Sequence, residues 1–125
     1  MREILFRGKD SKGLWHTGLL AYIDNTCYIS NEAGIATAFK VIPETIGQYT
    51  GLMDENGIKI FEGDILKCES SYDVEYMVVI FEHGEFHLVD CKKYKNYTEC
   101  CGYKYFGRLN TKVINNIYDN PEAIL

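Results

Sequence analysis

The chain has 125 residues, 46% hydrophobic and 25% charged, with a formal net charge of −5; this fits one compact domain or two small subdomains and excludes wholesale disorder. The acidic balance argues against general nucleic-acid binding, which needs cations along the phosphates. The five cysteines, Cys27, Cys68, Cys91, Cys100 and Cys101, are an odd number without CxxC spacing, so they read as reduced thiols, and no metal or other cofactor is expected.

Taken in chain order, Glu3 to Phe6 reads as a short strand ended by the polar turn GKDSKG. Trp15 begins a second extended run. Leu19 to Ile23 and Cys27 to Ser30 then form the arms of a hairpin around Asp24 and Asn25, whose short polar side chains tolerate turn geometry. Residues 32–42, EAGIATAFKVI, fit either a short helix or a further strand; Gly34 weakens the helix, and Pro43 interrupts regular hydrogen bonding nearby. In residues 46–66, IGQYTGLMDENGIKIFEGDIL, the pair Asn56-Gly57 predicts a type I′ hairpin turn with positive φ at both residues. IKIF follows as a strand, Gly63-Asp64 as a bend, and ILKC as a continuing strand. VEYMVVIFE and EFHLV flank His83-Gly84 in a two-residue-loop register that sets Phe81 opposite Phe86 and Val79 opposite Leu88. At the end, VINNIYDNPEAIL carries an apolar stripe of Val113, Ile114, Ile117 and Tyr118 at helical or strand spacing, stopped before Pro121. Short strands joined by tight turns, with ten tyrosines, predict a mainly β fold with a small barrel. MREILFRGKD has no apolar stretch of signal-peptide length and no segment approaches about twenty apolar residues, so a cytoplasmic protein without membrane contact is expected.

The chemistry-bearing clusters mostly have plain readings. DENG matches three positions of a calcium loop, but in that register Leu52 occupies the first ligand position and Gly63 the twelfth, so Asn56 and Gly57 read as a structural turn. Glu62 and Asp64 would share one side of a strand as an acid–base pair; an Asp beside Gly63 is equally a turn whose carboxylate bonds backbone N–H groups. His83, His87 and Cys91 resemble a metal set without a complete tetrahedron. Neither a nucleophile elbow nor a phosphate-binding or dinucleotide fingerprint occurs. The chain is therefore expected not to be an enzyme.

Residues 91–108, CKKYKNYTECCGYKYFGR, hold five Lys or Arg against one Glu on an otherwise acidic chain. Lys92, Lys93, Lys95, Lys104 and Arg108 interleave there with Tyr94, Tyr97, Tyr103 and Tyr105. This mixture suits a protein-contact surface, a solvated loop, or a track for phosphates with rings that stack on bases.

MREILFRG, the central run and VINNIYDNPEAIL together resemble the YopX family, small proteins carried by bacteriophages and prophages. The central match is specific: Gln48-Tyr49-Thr50-Gly51-Leu52, Asp54, Asn56-Gly57 and Glu62-Gly63-Asp64-Ile65 fall in the family's order and spacing. Asn115 stands where the family usually has Gly, and residues 91–108 lie outside these motifs. The resemblance implies an α+β arrangement forming one compact unit, with a mixed strand and helix part over residues 1–50 and an SH3-like barrel over residues 51–125. It supplies no activity and no catalytic residues. The function expected is that of a non-enzymatic accessory protein in the bacterial host cytoplasm. It would act by self-assembly as a homo-oligomer or by binding a host or phage protein. The alternative is nucleic-acid binding through residues 92–108.

Overall fold

The structure, a computed structural model, describes residues 3–31, 37–96 and 110–124. Those residues are mainly β: ten strands in two antiparallel sheets, three short 3-10 turns and no α-helix. The chain divides into two compact units, Met1–Gly51 and Leu52–Leu125.

In the first unit β1 (Phe6–Lys9), β2 (Trp15–Ile23), β3 (Thr26–Asn31), β4 (Ala38–Lys40) and β5 (Gly47–Met53) lie in the order β4-β3-β2-β1-β5. The β2–β3 hairpin pairs Ile23 with Thr26, so Asp24 and Asn25 alone make its loop. Their φ values of 51° and 62° are the left-handed pair that a type I′ turn requires, and a short polar side chain reduces the cost of that conformation. The segment whose type the sequence leaves open contains strand β4, with Phe39 paired to Ile29; residues 32–36 lie outside the described residues. A 3-10 turn, Pro43–Thr45, follows with proline at its start, where the missing N–H is no loss. The Thr45 hydroxyl accepts the Lys9 N–H at 2.9 Å and donates to the Ile42 carbonyl at 2.6 Å, clipping this turn to β1. Leu5, Ile29, Val41 and Tyr49 are buried beneath.

In the second unit β6 (Lys59–Phe61) follows the end of β5, and β7 (Asp64–Glu69), β8 (Val74–Glu82), β9 (Glu85–Asp90) and β10 (Thr111–Asn116) form a sheet in the order β10-β7-β8-β9. The β8–β9 register is the expected one, with Phe81 against Phe86 and Val79 against Leu88. The two phenyl rings meet with centroids 4.9 Å apart. His83 and Gly84 occupy the loop with φ of 54° and 78°. Four successive residues of β8, Met77 to Ile80, are buried, which a half-exposed strand would not allow. Both faces of this sheet are covered: Met77 and Val79 pack with Ile60, Leu66 and Leu88 on one, while Val78 and Ile80 pack with Ile65, Val89 and Cys91 on the other. The terminal stripe is divided accordingly. Val113 packs against the first cluster and Ile117 against the second, while Ile114 is exposed. The pairing β10-β7-β8-β9 is an open run, so the described strands do not close the barrel that the resemblance implies.

Gly63 fixes the β6–β7 bend. Its N–H donates to the Val79 carbonyl at 2.8 Å and its carbonyl accepts from Ile117 at 3.0 Å. Its φ is +91°, and a Cβ there would lie 2.7 Å from the Tyr118 ring. Gly57 has a comparable φ of +78° with open space around it. Gly63→Ala is therefore expected to destabilise by about 2–4 kcal/mol, and Gly57→Ala by about 1 kcal/mol from backbone strain alone. Urea unfolding of both variants reads the order; equal losses would contradict the Tyr118 contact.

Candidate functional site

The acids of the central motif bond backbone. Asp54 is buried at the head of the turn between β5 and β6. Its N–H donates to the Ile58 carbonyl, and the Gly57 N–H donates back to the Asp54 carbonyl. Oδ1 accepts the N–H groups of Asn56 and Ile58 at 2.8 and 2.9 Å, and Oδ2 accepts the Val113 N–H of β10 at 2.9 Å. Asn56 does not take a positive φ; only Gly57 does. The expected two-residue type I′ turn is thus corrected to a three-residue loop, because the Asp54 carboxylate organises the chain one step earlier. Burial opposes ionisation of Asp54, yet the donors from Val113, Ile58 and Asn56 outweigh it and hold the carboxyl below its ordinary 3.8.

Asp10 repeats the device in the first unit. Its N–H donates to Leu14, the Gly13 N–H donates to its carbonyl, and Oδ1 accepts from Lys12 and Leu14 at 2.8 and 2.9 Å. The remaining oxygen lies 2.8 Å from His16 Nε2, and the His16 ring stacks on Phe39 at 4.0 Å. The His16 bond first, then the backbone donors, lower the Asp10 pKa. Both turns read Asp-x-x-Gly-apolar, DSKGL and DENGI. That repeated spacing is the sequence signal that a search for Asn-Gly pairs passes over.

The other expected pairs separate. Asp64, at the start of β7, is fully buried and accepts the Phe61 N–H at 2.8 Å, whereas Glu62 is only partly buried in the preceding turn. His87 is buried in β9 and His83 stands exposed in the loop, each nearest a glutamate of its own hairpin. Among the described residues no three His, Cys, Asp or Glu side chains are grouped to hold a metal ion.

Of the basic segment, Lys92, Lys93 and Lys95 are exposed. Tyr94 instead packs its ring on the Ile65, Val78 and Ile80 cluster, where burial, then the charge of Glu62, raises its phenol pKa. That ring is part of the core wall, which the interleaved pattern did not reveal. Tyr97, Tyr103, Lys104, Tyr105 and Arg108 lie outside the described residues, as do Cys100 and Cys101. Cys91 is buried, and burial with the charge of Asp90 raises its pKa, so the thiol stays protonated.

Residues 6–124 match the family model described as YopX protein. The chain belongs to the YopX family. No curated protein matches it. Among solved structures it is similar to the crystal structure of protein EF1440 from Enterococcus faecalis, at 21% identity and a TM-score of 0.59, over 100% of both chains; this likeness concerns the fold alone.

What the family motif does not account for in this YopX-family chain is the outer end of the β2–β3 hairpin. Leu19, Tyr22 and Ile23 are 57%, 67% and 57% exposed, and Leu20 is exposed as well. By the register, Leu19, Ala21 and Ile23 share one face and Leu20 and Tyr22 the other. Sequence reading took this run as ordinary strand, since alternation shows pairing but not what covers a face.

Asp54 also makes acid sensitivity testable. Its lowered folded pKa contributes stability that is present above 3.8 and lost as pH falls through the folded value. Asp54→Asn keeps an oxygen for Asn56 and Ile58 but sets an NH2 group against the Val113 N–H, a loss of about 1–3 kcal/mol near neutral pH. The gap from the parent should narrow by about pH 2 as the parent carboxyl protonates. Denaturant titrations at both pH values check this; a gap independent of pH would contradict the charged bond to Val113.

Proposed function

We propose that the chain is a non-enzymatic binding protein that works as a self-associated assembly, in the phage or prophage setting that its family resemblance implies. The observation that carries the proposal is the β2–β3 hairpin end, which presents Leu19, Leu20, Tyr22 and Ile23 to solvent on both faces. Exposed apolar clusters of this kind on a water-soluble surface mark contact sites. The charge distribution favours a second copy as the occupant. Residues 13–31 contain one acid, Asp24, and no Lys or Arg. A charged partner would find almost nothing to pair with there, whereas a symmetric contact between two copies brings together only two carboxylates despite the net charge of −5.

A non-enzymatic role is supported by how the motif acids are used: Asp54 and Asp64 are buried on backbone donors instead of converging on a cleft. The nucleic-acid alternative is weakened by Tyr94, whose ring packs on the core and leaves Lys92, Lys93 and Lys95 as the exposed described residues of that segment.

Light scattering at about micromolar concentration is expected to give a multiple of the 14.4 kDa chain mass. The Leu19→Glu, Ile23→Glu variant should give the monomer mass with its melting temperature retained or modestly lowered, because both side chains are already exposed. A monomer mass for the parent, or an unchanged assembly in the variant, would overturn the proposal.

A further inference from the structure

Asn56-Gly57 lies in the reversal between β5 and β6 and is the chain's one Asn-Gly pair. The pair has a chemistry of its own. The main-chain nitrogen that follows an asparagine can attack the asparagine carboxamide, and glycine alone puts no side chain in the way. Both residues are exposed, and the Asn56 carboxamide is bonded to nothing among the described residues. A Cβ at Gly57 would meet no atom within 4 Å, so the outer side of the loop is open. The attacking nitrogen, however, is engaged. The Gly57 N–H donates to the Asp54 carbonyl at 3.0 Å, and the N–H groups of Asn56 and Ile58 on either side go to Asp54 Oδ1 at 2.8 and 2.9 Å. Asn25 is exposed in a turn as well, but it precedes Thr26, whose branched Cβ hinders the same attack.

We propose that Asn56-Gly57 is a latent site of spontaneous deamidation, held closed by the Asp54 loop and released in any chain whose Asp54 to Val113 bond opens. In the reaction the Gly57 nitrogen gives its proton to solvent base and bonds Asn56 Cγ. The bond from Cγ to the amide nitrogen breaks, and ammonia leaves with a proton from water. Water then opens the five-membered imide at either carbonyl, leaving an aspartate at position 56 or an isoaspartate whose main chain runs through Cγ. Nothing is oxidised or reduced, and water is the only co-reactant. The proton that has to leave is the one directed at the Asp54 carbonyl, so the loop must open first, as it must for amide exchange. The isoaspartate adds one main-chain carbon between the two N–H groups that share Asp54 Oδ1, and both products set a new carboxylate close to Asp54 and Glu55. Conversion is therefore one-way: it loosens the tie of this loop to β10 and marks chains that have opened. The site is independent of the hairpin contact between copies, since it draws on different residues of the other unit.

The test is mass spectrometry of the intact protein and its peptides after incubation in mildly alkaline buffer, with isoaspartate counted by methyl transfer from S-adenosylmethionine by an isoaspartyl methyltransferase. The guanidinium-unfolded chain is expected to convert at Asn56 as fast as the free peptide LMDENGIKI, and the folded chain at least about tenfold more slowly. Asp54→Asn, which weakens the loop, should convert at Asn56 faster than the parent under folding conditions. Gly57→Ala should slow the reaction in the unfolded chain, Asn56→Ser should abolish it there, and converted protein should melt below the unconverted. The proposal is overturned by equal rates in the folded and unfolded chain, by conversion at Asn25 ahead of Asn56 in the unfolded chain, by an Asp54→Asn rate equal to the parent's, or by converted protein that keeps the parent melting temperature.

Discussion

One carboxylate does the most to define the second unit. Asp54 gathers three backbone N–H donors, two within its own turn and one from Val113, 59 residues further along the chain. A buried carboxylate is tolerable only with such partners, and removing any of them leaves a charge without solvation. The bond therefore fixes two things together: where the β5–β6 loop reverses, and where β10 begins its run along β7. The Glu55 N–H adds a bond to the Thr111 carbonyl at 3.0 Å, so the turn and β10 are joined at neighbouring points. Gly63 pins the next bend between Val79 and Ile117, which carries the same logic through to the chain end.

The turn geometry also explains how one local pattern serves both units. In DSKGL and DENGI the Asp Oδ1 closes the loop on its own N–H groups and the Gly accepts the left-handed backbone. The second oxygen is left for a distant partner. Asp10 uses it on a side chain, His16, and Asp54 on a backbone N–H of another strand. That difference makes the first turn a local feature and the second a tertiary one.

Much of this was legible in the sequence, with reasons for each exception. Asp24-Asn25 and His83-Gly84 announced their hairpins because loop length and turn chemistry set the register locally. Asn56-Gly57 was misread because the same dipeptide also closes an Asp-headed loop, and the preceding Asp54 decides between them through a partner far away in sequence. The buried run Met77 to Ile80 gave strand but not depth, since only tertiary structure shows that both faces are covered. Tyr94 was grouped with the basic surface although its ring packs on the core; proximity in sequence to Lys92, Lys93 and Lys95 carries no information about direction. The family-motif acids Asp54 and Asp64 are thus committed to backbone donors that build the fold, and the exposed apolar residues proposed as a contact, Leu19, Leu20, Tyr22 and Ile23, lie outside the motif stretches.

That division is the central claim, and amide hydrogen exchange tests it most directly. If the motif carboxylate is structural, the Val113 and Ile58 amides held by Asp54 should be among the slowest to exchange in the second unit, opening only with global unfolding. A ligand-binding carboxylate would need to be free of the backbone. Rapid exchange at Val113, comparable to the exposed turn around Tyr72, would show that Asp54 is not committed to the fold and would return the motif acids to candidacy as a functional site.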